Sequence, residues 1–472
     1  MTDKKKPKSN VVNFVQATPK TPKPKRIPQP GDFERGDHTE LAKRLLAKVT
    51  GDDSAVCDEG QLYRYQSPIW KLVESVELSR IVQAFAGQKI QGADEAAPKT
   101  LKIRANDVDG AIRLAGHLVA KRDFFSSAPN GLVFKNGFVR VAASGIAIEP
   151  HSVDHRARFA YDFDFDETAC PARMLRCLND VFRDDEDRHE KIALLQEFAG
   201  ACLCGFVTKY QRCIVGVGDG SNGKSTVLEL IEAAFPPDLR IAIAPQDWGD
   251  EYRKALMAGK RLNCVNELPD REIIASEDFK VIVTGESITA RPIRQAPFTY
   301  RPTAGHLFAC NRLPGTTDQT KAFWRRFVVL TYNRVFEKNE RVVDLAKSII
   351  ADELPAIVAW FIHGAVRLLG KNGYTLPSSH QAAIDNWQKN ADPIRLFIES
   401  QTKQLESWEP PSNGTTPSEL FKRFKQWSAS NNFKPMPSNI FGERVKKVVE
   451  QVWTDSGRIY PIHLAGDWSE YQ

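Results

Sequence analysis

The eight cysteines include no C-x-x-C pair and no close Cys/His cluster. That removes the ligand spacing a structural zinc site needs. Cys202 and Cys204 stand two apart in an apolar setting, which reads as buried reduced thiols of a cytosolic protein. The chain shows no signal peptide and no apolar run long enough to span a bilayer, so no membrane partner is expected. Charge excess is also small. A net charge of +6 permits a polyanionic partner without demanding one. What is present, 42% hydrophobic and 26% charged residues over 472 positions, is a globular composition too long for one compact domain.

Gly218-Asp219-Gly220-Ser221-Asn222-Gly223-Lys224-Ser225-Thr226 fits the phosphate-binding pattern G-x-x-x-x-G-K-[ST] without a mismatch. Before it, Cys213–Val217 reads as a buried parallel strand; after it, 226–235 has helical spacing and ends at Pro236-Pro237. Gly218, Gly220 and Gly223 are expected to let the backbone turn tightly and approach phosphate oxygens. Lys224 is expected to reach the β- and γ-phosphates, and Ser225 to hold magnesium. The loop alone implies a bound nucleoside triphosphate, and a small-molecule kinase would carry the same one.

Residues 1–38 are rich in Lys, Pro and Thr and read as a disordered basic tail. An N-terminal α+β domain is expected over 39–195. Its signals are a hairpin around Gln66-Ser-Pro68, a helix over 105–118 and a hairpin turning at Lys135-Asn-Gly137. Tyr161–Glu167 alternates aromatic and acidic residues and reads as an edge strand. Helices are expected over 174–182 and 192–204, the second feeding the phosphate-loop strand.

A phosphate loop needs a carboxylate at the end of a neighbouring strand. Glu267, ending Arg261-Leu-Asn-Cys-Val-Asn266, is the candidate to orient or deprotonate the attacking water and help hold the metal. The run is interrupted by Asn263, and Asn266 stands where many ATPases carry a second acid. A third strand, His306–Cys310, ends in Asn311, which either contacts the γ-phosphate and water or simply forms a turn. Arg325 and Arg326 sit in an aromatic-apolar context; one could pack, and the other act across a subunit boundary as an arginine finger. Between the second and third strands, Arg291 and Arg294 are candidates at the tip of a hairpin touching a nucleic-acid backbone, with an ordinary solvated hairpin as the alternative.

Residues 337–391 read as a helical lid, with separate helices over 342–350 and 356–369. In 392–472, Thr416-Pro-Ser-Glu419 is a capping box, 438–449 a basic helix, and 452–464 strand-like. This looks like a winged helix with Lys434, Arg444, Lys446 and Lys447 toward DNA phosphates, or else a packing domain with a solvated helix face.

Five segments in this order resemble superfamily 3 helicases, specifically the helicase module of phage and plasmid primase–helicases: Gly218–Thr226, Gly259–Glu267, Thr284–Arg291, Ala309–Pro314 and Phe323–Arg326. The resemblance extends weakly upstream to Asn136-Gly137 and Cys170-Pro171. It implies an AAA+-like α/β core over 196–336, ATP and Mg2+ as cofactors, and a homo-hexameric ring. In such a ring Glu267 serves hydrolysis, Asn311 is the sensor, and a neighbour's Arg325 or Arg326 completes the site. It further implies movement of the hairpins along single-stranded and forked DNA during replication, in a bacterial host cytoplasm, with a separate primase or initiator as partner. Longer relatives carry a primase domain in front; its acidic cluster is not found here, so no primer synthesis is expected. An ATP-regulated origin-binding initiator and an ATP-driven regulatory or defence NTPase are the rival readings.

Overall fold

The computed structural model describes residues 32–51, 54–91, 99–269, 274, 276–293, 296–316, 318, 320–406, 409–410, 413–430, 433, 436–455 and 457–465. Two compact units emerge: residues 1–55 with 73–119, and residues 56–72 with 120–472. Most of the basic tail, and both Arg294 and Lys434, lie outside the described residues. The boundaries expected at 195, 336 and 391 fall inside the larger unit.

In the smaller unit three helices, His38–Thr50, Ser75–Gln83 and Ala105–Leu118, enclose Leu41, Leu45, Val82 and Ala111. The expected helix over 105–118 forms as read, and Asp107 closes its first turn by accepting from the Arg104 N–H at 2.8 Å.

The larger unit is built on a five-stranded sheet. Its strands are β1 (Cys213–Val217), β2 (Arg240–Ile241), β3 (Leu262–Val265), β4 (Gly305–Cys310) and β5 (Phe327–Thr331). They run parallel in the spatial order β5-β1-β4-β3-β2. The fold is therefore mixed α/β with a parallel sheet. Strands buried on both faces read as unbroken apolar runs, which is why β1 and β4 are visible in the sequence; β5 is such a run too, but it was read only as the apolar context of Arg325 and Arg326. Helices α1 (Arg188–Cys204), α2 (Lys224–Glu232), α3 (Leu345–Lys371) and α4 (Ser379–Ala391) complete the core.

The two helices expected in 342–369 are one, α3, which runs through Pro355. It is long and apolar enough by length and composition to cross a membrane, where the sequence reading found no such run. Here Ile357, Val358, Phe361, Ile362 and Leu368 are buried in the core that also holds Ile214 of β1. The helix crosses α1 closely: a Cβ on Gly200 would lie 2.0 Å from the Phe361 carbonyl oxygen, and one on Gly364 would lie 2.3 Å from that of Gln196. Only residues without side chains let the backbones approach so near. Arg367 pairs with the buried Glu197 at 2.7 Å beside the same crossing. The Cys202 and Cys204 thiols are free and buried in this core, and burial pushes Cys204 up to about 12.

Both hairpins of the upstream region form, Gln61–Gln66 with Ile69–Leu72 and Gly131–Phe134 with Gly137–Ala142, the latter gaining a third strand, Gly145–Glu149. Tyr161–Glu167 forms no strand. Its aromatic residues pack on Phe134, Tyr161 stacked at 5.0 Å and Phe165 tilted at 5.2 Å between ring centroids. The segment nonetheless runs along the hairpin's edge: the Tyr161 N–H donates to the Val133 carbonyl at 2.9 Å and the Lys135 N–H to the Phe163 carbonyl at 3.1 Å, and beyond them the Asn136 amide donates to the Phe165 carbonyl at 2.9 Å and accepts the Phe165 N–H at 3.0 Å.

At the C-terminal end, helices Pro393–Gln401, Pro417–Ser430 and Ser438–Val445 pack Phe397, Phe424, Trp427 and Phe441 together. The capping box forms, with the Glu419 N–H donating to Thr416 Oγ1 at 3.3 Å and the Thr416 N–H to Glu419 Oε2 at 3.1 Å. A hairpin, Val452–Thr454 with Gly457–Ile459, follows, and Ile462–Leu464 pairs back with Thr402–Gln404. The third helix ends at Val445, not 449, leaving Lys446 and Lys447 in the turn beyond it.

Candidate active site

The loop leaves β1 and enters α2 at Gly223, whose φ of +82° is a left-handed conformation that favours glycine. Gly218 is needed for a different reason: a Cβ there would lie 2.5 Å from the Tyr332 carbonyl oxygen. Gly220 meets neither constraint, since a Cβ would find open space and its φ is not positive, so the tight-turn role expected of it falls to Gly218 and Gly223. The positive φ on that side of the loop belongs to Ser221, at 63°.

Lys224 is only 8% exposed. Its Nζ donates to the Gly218 carbonyl, to the Asp219 carbonyl at 3.0 Å, to Asn222 Oδ1 at 3.1 Å and to Asn311 Oδ1 at 3.4 Å. Among the described residues no carboxylate forms an ion pair with it. Burial pushes its ammonium below the ordinary lysine value, an effect partly offset by Cys310, Asp219 and Glu267. A desolvated cation held only by neutral oxygens is an incomplete electrostatic arrangement that an anion would complete.

A cavity of about 430 Å³ opens over this lysine. Gly220 to Thr226 form its floor, and Asn266, Glu267 and Asn311 come from the ends of β3 and β4. Because β4 lies between β1 and β3, Asn311 stands between the loop and Glu267. Gly218 and Asp219 contribute carbonyls to Lys224 instead of lining the space. Ser225 and Glu267 are exposed on the cavity and supply hard oxygen donors of the kind Mg2+ takes.

Asn263, which interrupted the acidic strand on paper, is fully buried and hydrogen-bonded. Its amide accepts the Ile243 N–H and donates to the Ile243 carbonyl, both at 2.8 Å. The side chain thus continues the β2–β3 pairing after the backbones diverge, and the strand delivers Glu267 intact.

The far wall was not foreseen. Cys177, Val181, Phe336, Val342 and Leu345 supply apolar surface, with Glu340 and Arg341 beside them. The chain is brought there by the Phe336 N–H, which donates to the Ser221 carbonyl at 2.8 Å. Arg334, 6% exposed, ties the wall together by pairing with Asp180 and, at 2.7 Å, with Glu340. Arg341 donates to the Phe336 carbonyl through Nε at 3.1 Å and Nη2 at 3.0 Å. Nothing in local sequence marks these residues: Cys177 and Val181 come from the helix Ala172–Val181 upstream of β1, and the return of the chain after β5 brings Phe336 to Leu345 to the loop.

The other candidates stand apart from the cavity. Arg325 is exposed and donates to Gln211 Oε1 at 3.1 Å. Arg326 is 7% exposed and donates to the Ala322 carbonyl. Arg291 follows the first strand of the hairpin Ile288–Ala290 with Phe298–Tyr300, its N–H donating to the Glu251 carbonyl at 3.3 Å. Arg444 pairs at 2.8 Å with Asp392, the N-cap of helix Pro393–Gln401, so its guanidinium braces two helices instead of projecting outward. Lys446 and Lys447 are exposed.

A family model described as a family of unknown function (DUF5906) matches residues 217–326, the stretch from the end of β1 through Arg326. The chain is similar to a protein named Putative helicase L207/L206 of Acanthamoeba polyphaga mimivirus, 21% identical over 353 residues. That match takes in 64% of this chain and 36% of the mimivirus protein, so the chain corresponds to about a third of that protein's length. Among solved structures, the apo A form of the NrS-1 C-terminal region overlaps 91% of this chain and all of that one, at 12% identity and a TM-score of 0.41. Another apo structure of the same region overlaps 92%, also at 12% identity and 0.41.

Proposed function

We propose that the protein is an ATP-dependent DNA helicase of superfamily 3, from a phage, plasmid or related mobile element, working as a hexameric ring on single-stranded DNA. The observation that carries this reading is the desolvated Lys224 under a cavity bordered by Ser225, Glu267 and Asn311. The similarity to a protein named as a putative helicase supports it from outside the chain.

In this reading the loop N–H groups and Lys224 hold the triphosphate, releasing Nζ from the loop carbonyls it now satisfies. Mg2+, when bound, neutralises developing charge, with Ser225 and Glu267 as its protein oxygens. Glu267 orients or accepts a proton from the attacking water, and Asn311 fixes that water against the γ-phosphate. The apolar wall around Val181 and Phe336 takes the base. Between the two arginines, exposure favours Arg325 as the residue that reaches a neighbour's nucleotide, since Arg326 is buried. The core would then be AAA+-like, and the C-terminal helices and hairpin a winged helix.

Strand displacement on forked DNA, with and without ATP and alongside a mass measurement, tests the proposal. ATP-dependent displacement by an assembled ring is expected, and none by Lys224→Ala. Hydrolysis without displacement, from a protein that binds one duplex site, would select the ATP-regulated initiator instead. The exposed Lys446 and Lys447 favour that second reading.

A further inference from the structure

Trp453 lies on the C-terminal hairpin with 70% of its surface exposed, an unusual state for the largest apolar side chain. Its cross-strand partner is Arg458, and the guanidinium carbon sits 4.6 Å from the ring centroid. The opposite strand residues differ in kind: Ile459 is buried and Val452 half-buried, so the hairpin turns its aliphatic side inward and its indole outward. Arginine over one face of an indole leaves the other face open and sets positive charge beside the ring.

We propose that Trp453 and Arg458 form a stacking platform for an unpaired nucleobase, with the ring taking the base and the guanidinium drawn toward the adjoining phosphate. Three observations bear on this ligand. Lys446 and Lys447 are exposed in the turn that leads into the hairpin and, with Arg458, offset the exposed Glu443, Glu450 and Asp455, so the approach is not closed to a phosphate backbone. Asp455, exposed at the hairpin's own turn, would repel a phosphate backbone laid across the tip, which disfavours a duplex groove contact there. A flat exposed aromatic beside an arginine is suited to bases of any sequence, because every base offers a π face. The proposal rests on the protein acting on nucleic acid, but not on ATP hydrolysis.

The test uses the full chain without nucleotide and a fluorescently labelled single strand, read by anisotropy. Trp453→Ala is expected to weaken binding about 5- to 150-fold, the range for loss of one base–aromatic stack. Trp453→Phe should recover part of the loss. On a strand of abasic sites the parent and Trp453→Ala should bind alike, and the slope of affinity against salt should be the same for both, since no phosphate contact is removed. Repeating the series in Lys224→Ala protein should give the same ratios, which separates this proposal from the ATPase reading. Equal affinities for the intact strand overturn it. So does an equal loss on the abasic strand, or a loss on blunt duplex as large as on single strand.

Discussion

Two buried lysines stand at strand ends of the same sheet and live in opposite electrostatic surroundings. Lys191 of α1 is fully buried and pairs with Asp185 at 3.0 Å and Asp187 at 3.4 Å, and it donates to the carbonyl and hydroxyl of Thr331 at the end of β5, both at 2.9 Å. Lys224 of α2 is nearly as buried, yet its partners are carbonyls and amide oxygens. One cation is balanced within the protein and the other is not. Residue type and burial do not tell the two apart; the presence or absence of a counter-charge does.

The comparison extends to the paired arginines and can be broken there first. Arg325→Ala is expected to lower ATP turnover by about 10³-fold or more if its guanidinium finishes a neighbour's site. Mixed with Glu267→Gln subunits, it should regain part of that rate. The absence of rescue at every mixing ratio would return Arg325 to an ordinary surface role.

Lys191→Met sharpens the contrast from the structural side. It leaves Asp185 and Asp187 buried without their cation and should cost about 3–5 kcal/mol of unfolding free energy. A denaturant melt reads this directly, and an unchanged midpoint would mean the pairing contributes nothing.

The smallest expected effect concerns His380 at the start of α4. The Val329 N–H of β5 donates to its Nδ1 at 3.2 Å, and burial holds its pKa down at about 4. A neutral imidazole is therefore part of the folded state, whereas the unfolded chain binds the proton near the ordinary value of 6.5. The stability it contributes is present above about pH 6.5 and is lost as pH falls toward 4. His306, held down to about 3 inside the sheet, acts in the same direction. The melting midpoint of the parent should fall over that window, and His380→Asn should show a shallower fall. Parallel curves would remove His380 from the acid response.

Strands β1 and β4 were legible because each is an apolar run closed by a polar loop residue, whereas β2 and β5 were not read as strands. Asn263 misled because its amide is satisfied by one distant backbone residue, Ile243, which no local pattern reveals. Tyr161–Glu167 was read in part: it forms no regular strand, yet backbone bonds to Val133 and Lys135 hold it along a sheet edge, and its alternation also serves ring packing and an Asn136 bridge. Arg444 looked like a phosphate contact by charge and helix position, until Asp392 from another helix claimed it. Phe336 and Arg341 beside the loop, and Arg334 bracing them through Asp180 and Glu340, were invisible because the contacts that bring the chain after β5 to the loop are distant in sequence. In each case the missing information was a partner far away in sequence.

The unbalanced charge on Lys224 can be tested by calorimetric titration of magnesium and ATP into the parent and Lys224→Ala, with a thermal melt of each. At least a 100-fold loss of affinity and turnover, with an unchanged melting midpoint, is the predicted result. Undiminished binding and hydrolysis by Lys224→Ala would contradict the account.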